Sequence, residues 1–229
     1  MTEPRHADVL FFDGPELAVT GVSGLTLASE SGSEADTEIV AEPRYADVIR
    51  FEGCSGVGVM DLTMGHTEAG DCSGNVLNFG SCDGIVLCGT DLYGCGVYGV
   101  AANETGRLSC FDSTLRDCSY GAVELYAAWE LQMFLNCVMT GSNGGGFFHA
   151  AKGSNGKFYF YRCVFGERES NSFAFNDAIT AEDCTWSEIT EYPDYSEYDE
   201  YEPVALDPAR VRTAPFDAKV LTDTRYFLC

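Results

Sequence analysis

Side chains of one chemical type recur every 23 residues through the middle of the chain. Cys72, Cys95 and Cys118 share that spacing, as do Leu77, Val100 and Val123. Ile85, Leu108 and Leu131 form a third column, Leu87, Cys110 and Met133 a fourth, and Leu92, Leu115 and Val138 a fifth. A fixed lag shared by several apolar columns is the signature of a solenoid, whose stacked units each bury a face against the next. The register extends on both sides with altered lags. Backward, Ile49, Phe51, Cys54, Val57, Val59 and Met64 match Leu77, Phe79, Cys82, Ile85, Leu87 and Leu92 at 28 residues. Forward, Val123 leads to Phe148 and Phe173 at 25. Leu131, Met133 and Val138 lead to Phe158, Phe160 and Phe165 at 27, and these to Ile179, Ala181 and Trp186 at 21. A weaker early turn is visible in Leu17, Val19, Leu25 and Leu27, and Glu3-Pro4-Arg5-His6-Ala7-Asp8-Val9 recurs as Glu42-Pro43-Arg44-Tyr45-Ala46-Asp47-Val48.

Within each unit the apolar residues alternate, as in Leu77/Phe79 and Ile85/Leu87, which is the period of a strand rather than a helix. Gly, Asn, Asp and Ser separate these short strands and supply turns that need left-handed backbone. The expected fold is therefore all-β: a right-handed parallel β-helix of about six or seven coils, spanning residues 1–190. Lag variation from 21 to 28 fits this form, whose turns absorb insertions. A leucine-rich repeat lacks its Leu-x-x-Leu-x-Leu phrase here, and a left-handed helix lacks its hexapeptide rhythm. Residues 191–229 form an acidic, Tyr-rich extension and terminal cap. Tyr192, Tyr195, Tyr198 and Tyr201 recur every third residue there, among seven acidic residues between Glu188 and Glu202. That period suits an extended segment draped on the solenoid with its rings on apolar surface; a partner-binding or cation-binding strip and plain disorder are the other readings.

Thirteen basic and 36 acidic residues leave a formal charge of −23. Such a surface repels nucleic acid and anionic membranes. No run of about 18 apolar residues suggests a membrane span. The 45% hydrophobic content is enough for a core. Eleven cysteines fall mostly on repeat columns, namely Cys54/Cys82, Cys72/Cys95/Cys118 and Cys137/Cys163/Cys184, with no CxxC or zinc spacing. They read as buried free thiols acting as small hydrophobes.

Four segments carry a family resemblance: Arg44–Cys54, Gly65-His66-Thr67 with Cys72–Leu77, Asp91–Val100, and Asp117–Val123. They resemble coils of bacterial right-handed parallel β-helix repeat proteins of the broad pectate-lyase-like superfamily, over roughly residues 12 to 186. The resemblance implies association with carbohydrate and a secreted or cell-envelope location. It also implies that a signal and capping element precede such a chain, because Met1 stands almost directly before repeat-like sequence and Met1–Asp8 contain no apolar signal core.

If the columns face inward, the residue between each pair faces out: Arg50, Asn78, Ala101, Glu124 and His149. Glu124 and His149 would lie one coil apart, about 5 Å at Cα, close enough for acid/base chemistry or for hydrogen bonds to a sugar. A solvated polar face is the plainer reading. His66 is expected in a turn, residues 65–71, overhanging this face with Glu68 and Asp71; a turn histidine bonded to the backbone is the alternative. Tyr159 and Tyr161 alternate with inward Phe158 and Phe160 and offer rings for sugar stacking, or cover for the end of the solenoid. The candidate catalytic set is thus His66, His149 and Glu124, and the candidate substrate-binding set is Arg50, Asn78, Tyr159 and Tyr161. No metal or cofactor is expected, with calcium the one possible ion, although the sequence shows no compact site for it. Calcium-assisted β-elimination needs clustered carboxylates and a basic partner, whereas Asp61, Asp83 and Asp91 are scattered. The paired aspartates of polygalacturonase-type hydrolases are missing too. The function expected first is a non-catalytic glycan-binding or surface protein with a polysaccharide partner. A polysaccharide lyase or glycoside hydrolase using the outward face comes second, and a structural solenoid that meets protein partners, in part through its acidic tail, third.

Overall fold

The computed structural model describes residues 8–12, 16–42, 45–67, 73–94, 96–142, 148–150, 157–168, 173–174 and 179–186. The acidic tail, Glu68, Asp71, Cys72 and Cys95 lie outside them. The described residues form strands and turns with no helix, and the strands stack into three sheets of eight, seven and seven strands. The chain visits sheet 1, sheet 2 and sheet 3 in strict rotation, and every ladder is parallel. Thr63–His66, Leu77–Gly80 and Asp83–Cys88 make one coil; Asp91–Tyr93, Tyr98–Asn103 and Leu108–Phe111 make the next. This is the parallel β-helix that the repeat demands.

The central column holds as expected. Leu77 pairs with Val100, and Val100 with Val123, and all three are fully buried. Ile49 and Leu17 continue the stack toward the N-terminus. Aromatic rungs fill the wider parts of the interior: Phe51 lies on Phe79 with ring centres 5.0 Å apart, and Phe134 on Phe160 at 5.1 Å. Parallel stacking lets flat rings repeat at nearly the coil spacing.

Two corners turn on one left-handed residue per coil. Gly21, Gly53, Ser81, Glu104 and Ala127 occupy the corner between sheets 2 and 3, and Asp61, Gly89, Asp112, Asn136, Arg162 and Asp183 the corner between sheets 3 and 1. Each sits at the end of a strand, and most donate the amide to the next coil, as Gly53 does to Gly80, Asp112 to Leu135 and Arg162 to Glu182. Small side chains line these corners from inside. Thr90 and Ser113 hydrogen-bond at 3.0 Å, and the Cys137 thiol donates to the Cys110 carbonyl at 3.4 Å. The eight cysteines among the described residues are free thiols, six of them buried.

One reading of register is corrected. Gln132, not Leu131, pairs with Leu108, and Phe134, not Met133, pairs with Cys110. The lag across this step is 24, so the alternation slips by one and changes face. Leu131, Met133 and Leu135 point outward while Gln132 and Phe134 point in. Likewise Met139, not Val138, stacks on Leu115. The cause is one extra residue in the turn at 127–130, which the buried Gln132 amide braces by donating to the carbonyls of Gly106 and Glu130. Apolar Leu131 and Met133 mimic the inward column, so composition alone hides the slip. The recurring Ala-Asp-Val phrase falls at two different places in the coil. Asp8 begins a sheet 1 strand and pairs with Thr37, whereas Asp47 lies at the entrance to sheet 2, so the phrase is not a structural register.

Candidate functional site

The outward ladder of sheet 2 forms in register: Ala18, Arg50, Asn78, Ala101, Glu124, His149 and Ala174 pair strand to strand. Glu124 and His149 are direct partners on adjacent strands, as expected. Arg50 is exposed and held by Glu16 at 3.5 Å and Glu52 at 3.3 Å. The hydrogen bond to Glu52, ahead of that to Glu16, raises its affinity for its proton.

Beside this ladder runs a polar string that the alternation pattern did not single out. The Asn78 side-chain amide donates to Asp47 Oδ2 at 2.7 Å. Asp47 Oδ1 accepts from the Asn75 backbone at 2.8 Å and its side-chain amide at 3.0 Å. Asn75 Oδ1 in turn accepts the Tyr98 backbone amide at 3.1 Å, and the Tyr98 hydroxyl bonds the Glu124 carboxyl. Burial pushes the Glu124 carboxyl above its ordinary value, and the Tyr98 bond only partly opposes it. The Tyr98 ring meets Tyr120 edge to face at 6.3 Å. Tyr120 is 58% exposed and Tyr45 is 85% exposed, so aromatic rings stand free along the edge where the string lies. Asp47, Asn75 and Tyr98 share the lags of 28 and 23 with the core columns, and that spacing was the signal available for them.

His66 is not in an overhanging turn. It ends the sheet 1 strand Thr63–His66, pairs with Ala41, and is 3% exposed. Its Nε2 lies 2.9 Å from the Ala46 carbonyl; a carbonyl only accepts, so this nitrogen carries the hydrogen. Nδ1 is buried without a partner. Desolvation therefore pushes the imidazole below its usual value, although the Ala46 bond and the Asp47 charge pull the other way. Gly74 also abuts Ala46, where a side chain would collide with the carbonyl. His66 and Gly74 together fix the backbone that presents Asp47, so His66 supports the polar string from behind. The preceding Gly65 is required by Tyr93, whose ring lies 2.6 Å from where a β-carbon would stand while its hydroxyl reaches Glu38 at 2.6 Å.

Tyr159 and Tyr161 do face outward, but on sheet 3, where they border Val86, Phe111, Met133 and Leu135. The structure thus gathers Arg50, Asn78 and Glu124 on one face, with the backbone of His149 in register beside Glu124, puts His66 behind that face, and leaves the two tyrosines on another. Among the described residues no three His, Cys, Asp or Glu side chains converge as a metal site, and no helix is long and apolar enough to cross a membrane. No protein-family model, no curated protein and no solved structure matches the chain.

Proposed function

We propose that this protein binds a glycan without chemical turnover, along the outer face of sheet 2. The observation that carries the reading is the continuous string Asn78–Asp47–Asn75–Tyr98–Glu124 beside the exposed ring of Tyr120. Amides and carboxyls spaced one coil apart offer donors and acceptors to successive hydroxyls, and an exposed tyrosine offers an apolar face to a sugar ring. The resemblance to pectate-lyase-like repeat proteins supports the same ligand class and a secreted or cell-envelope location. A charge of −23 favours a neutral or basic glycan over a polyuronate. The test is a glycan array on the full chain, followed by calorimetry. Tyr120→Ala and Asn78→Ala should each weaken binding by about tenfold or more with the fold retained. An array with no bound glycan refutes the proposal and leaves the structural solenoid reading.

The pairing of Glu124 with His149 favours a hydrolase or lyase as the second reading, because a carboxyl raised by burial suits a general acid. Product release from the glycan that binds, lost in both Glu124→Gln and His149→Ala, would replace the non-catalytic reading. Binding without product keeps it.

A further inference from the structure

A file of thiols lines the inside of the corner between sheets 3 and 1. Ser113, Cys137, Cys163 and Cys184 each follow the left-handed residue of that corner, at Asp112, Asn136, Arg162 and Asp183. Ladder bonds set them one coil apart: the Val138 amide donates to Ser113 at 2.9 Å, Val164 to Cys137 at 2.8 Å and Thr185 to Cys163 at 2.9 Å. The Cys137 thiol donates to the Cys110 carbonyl and the Cys163 thiol to the Phe134 carbonyl, both at 3.4 Å, so each sulfur leans toward the preceding coil. The side chains bond in series, Cys110 with Cys137, Cys137 with Cys163, and Cys163 with Cys184. All four are free thiols; the first three are buried and Cys184 is half-buried.

Two chemistries could join such neighbours, and the stack discriminates between them. A disulfide needs sulfurs about 2 Å apart, β-carbons about 3.8 Å apart and a torsion of about 90° between them. Equivalent positions in a parallel stack keep their side chains parallel and about 4.8 Å apart, so that bond would pull two coils out of place. A metal–thiolate bond is about 2.3 Å long, so an ion midway between two sulfurs asks for about 4.6 Å, close to the spacing the coils already hold. Zinc would want four donors, and among the described residues no three His, Cys, Asp or Glu side chains converge. Two thiolates in line suit a soft monovalent ion instead.

We infer that Cys137 and Cys163 form a two-coordinate site for a soft monovalent cation of the copper(I) class, inside the solenoid. They are the inner pair of the file, so each keeps a further thiol beside it, Cys110 or Cys184, whose S–H can donate to the thiolate that binding creates. At the other corner Cys54 and Cys82 stack alone, because Thr105 and Ala128 continue that column. On loading, two S–H bonds break, two copper–sulfur bonds form and two protons leave to solvent; copper stays monovalent and no electron moves.

Copper(I), kept monovalent in acetonitrile under argon and titrated into the reduced full chain against the chelator bicinchoninate, tests this. Serine already fills the equivalent position at Ser113, so Cys137→Ser and Cys163→Ser place a side chain the column accommodates. Each should lower the copper withheld from the chelator by one equivalent, and the double variant by that same equivalent. A parent that withholds no copper, single variants that match the parent, or a two-equivalent loss in the double variant overturns the inference. X-ray absorption at the copper edge of the parent, loaded with one equivalent, should show two sulfur neighbours in line. Three or more sulfurs, or nitrogen or oxygen donors, overturn the inference. Where a serine variant loosens the fold, the edge spectrum of the parent decides.

Discussion

At the residue scale, the corners depend on backbone angles that most side chains avoid. Gly53 has φ of 61° and open space where a β-carbon would lie. Gly53→Ala therefore reports the backbone alone, and should lower unfolding stability by about 1 kcal/mol in denaturant titration. The converse holds at Ala127, with φ of 54° in the equivalent corner position. Ala127→Gly should leave stability unchanged or raise it by about 0.5 kcal/mol, because relief of the left-handed strain outweighs glycine's added freedom in the unfolded chain. His66 gives a pH dependence with a definite sign. Burial lowers its folded-state value below 6.5, so the unfolded chain binds the proton more readily. Stability from this group is present above about pH 6.5 and declines as pH falls from there toward the folded-state value. His66→Gln should flatten that part of the pH–stability curve, as read by thermal melts across mildly acidic buffers.

At the element scale, one residue in a turn decides the face of a whole strand. The extra residue at 127–130 sends Leu131 outward, where it pairs with exposed Lys157, and sends Phe134 inward onto Phe160. Two substitutions separate the registers. Leu131→Asp should fold with stability within about 0.5 kcal/mol of the parent, helped by Lys157. Phe134→Asp should abolish the folded state, because an unpaired carboxylate would enter a fully buried aromatic rung. Circular dichroism and denaturant titration of the two variants give the answer. If Leu131→Asp proves the damaging one, the 23-residue register is right and the slip is not. The strands themselves were legible in the alternation, and the turns in Gly, Asn and Asp. What the alternation could not show was Gln132 in an inward slot, because a glutamine that bonds Gly106 and Glu130 looks like a surface residue until those carbonyls are placed.

At the scale of the whole molecule, the thiols and the charge make separate demands. The buried cysteines Cys54, Cys82, Cys110, Cys118, Cys137 and Cys163 sit on the inside of the coil stack. Burial pushes the Cys82 thiol up to about 11 and Cys137 well above its ordinary value. All six should resist iodoacetamide in the native protein at mildly alkaline pH and react fully in denaturant, as peptide mass spectrometry would show. The formal charge of −23 presses outward on the molecule by self-repulsion. Raising ionic strength should therefore raise the melting temperature. The candidate site was half legible at this scale. Arg50, Asn78, Glu124 and His149 followed from the columns, whereas Asp47 and Asn75 precede their strands and Tyr98 opens its own, where alternation is only beginning.

The sequence by itself determined the period, the strand type and the stacking of columns, because each coil repeats the same local demands at the same lag and local demands are written locally. Tertiary structure decided the facing of Met133 and Phe134, the burial of His66 against Ala46, and the separation of Tyr159 and Tyr161 from the sheet 2 face. Each depends on how long one turn is and on what the neighbouring coil presents. A period-two pattern fixes which residues share a face without saying which face it is, and that choice belongs to the stack.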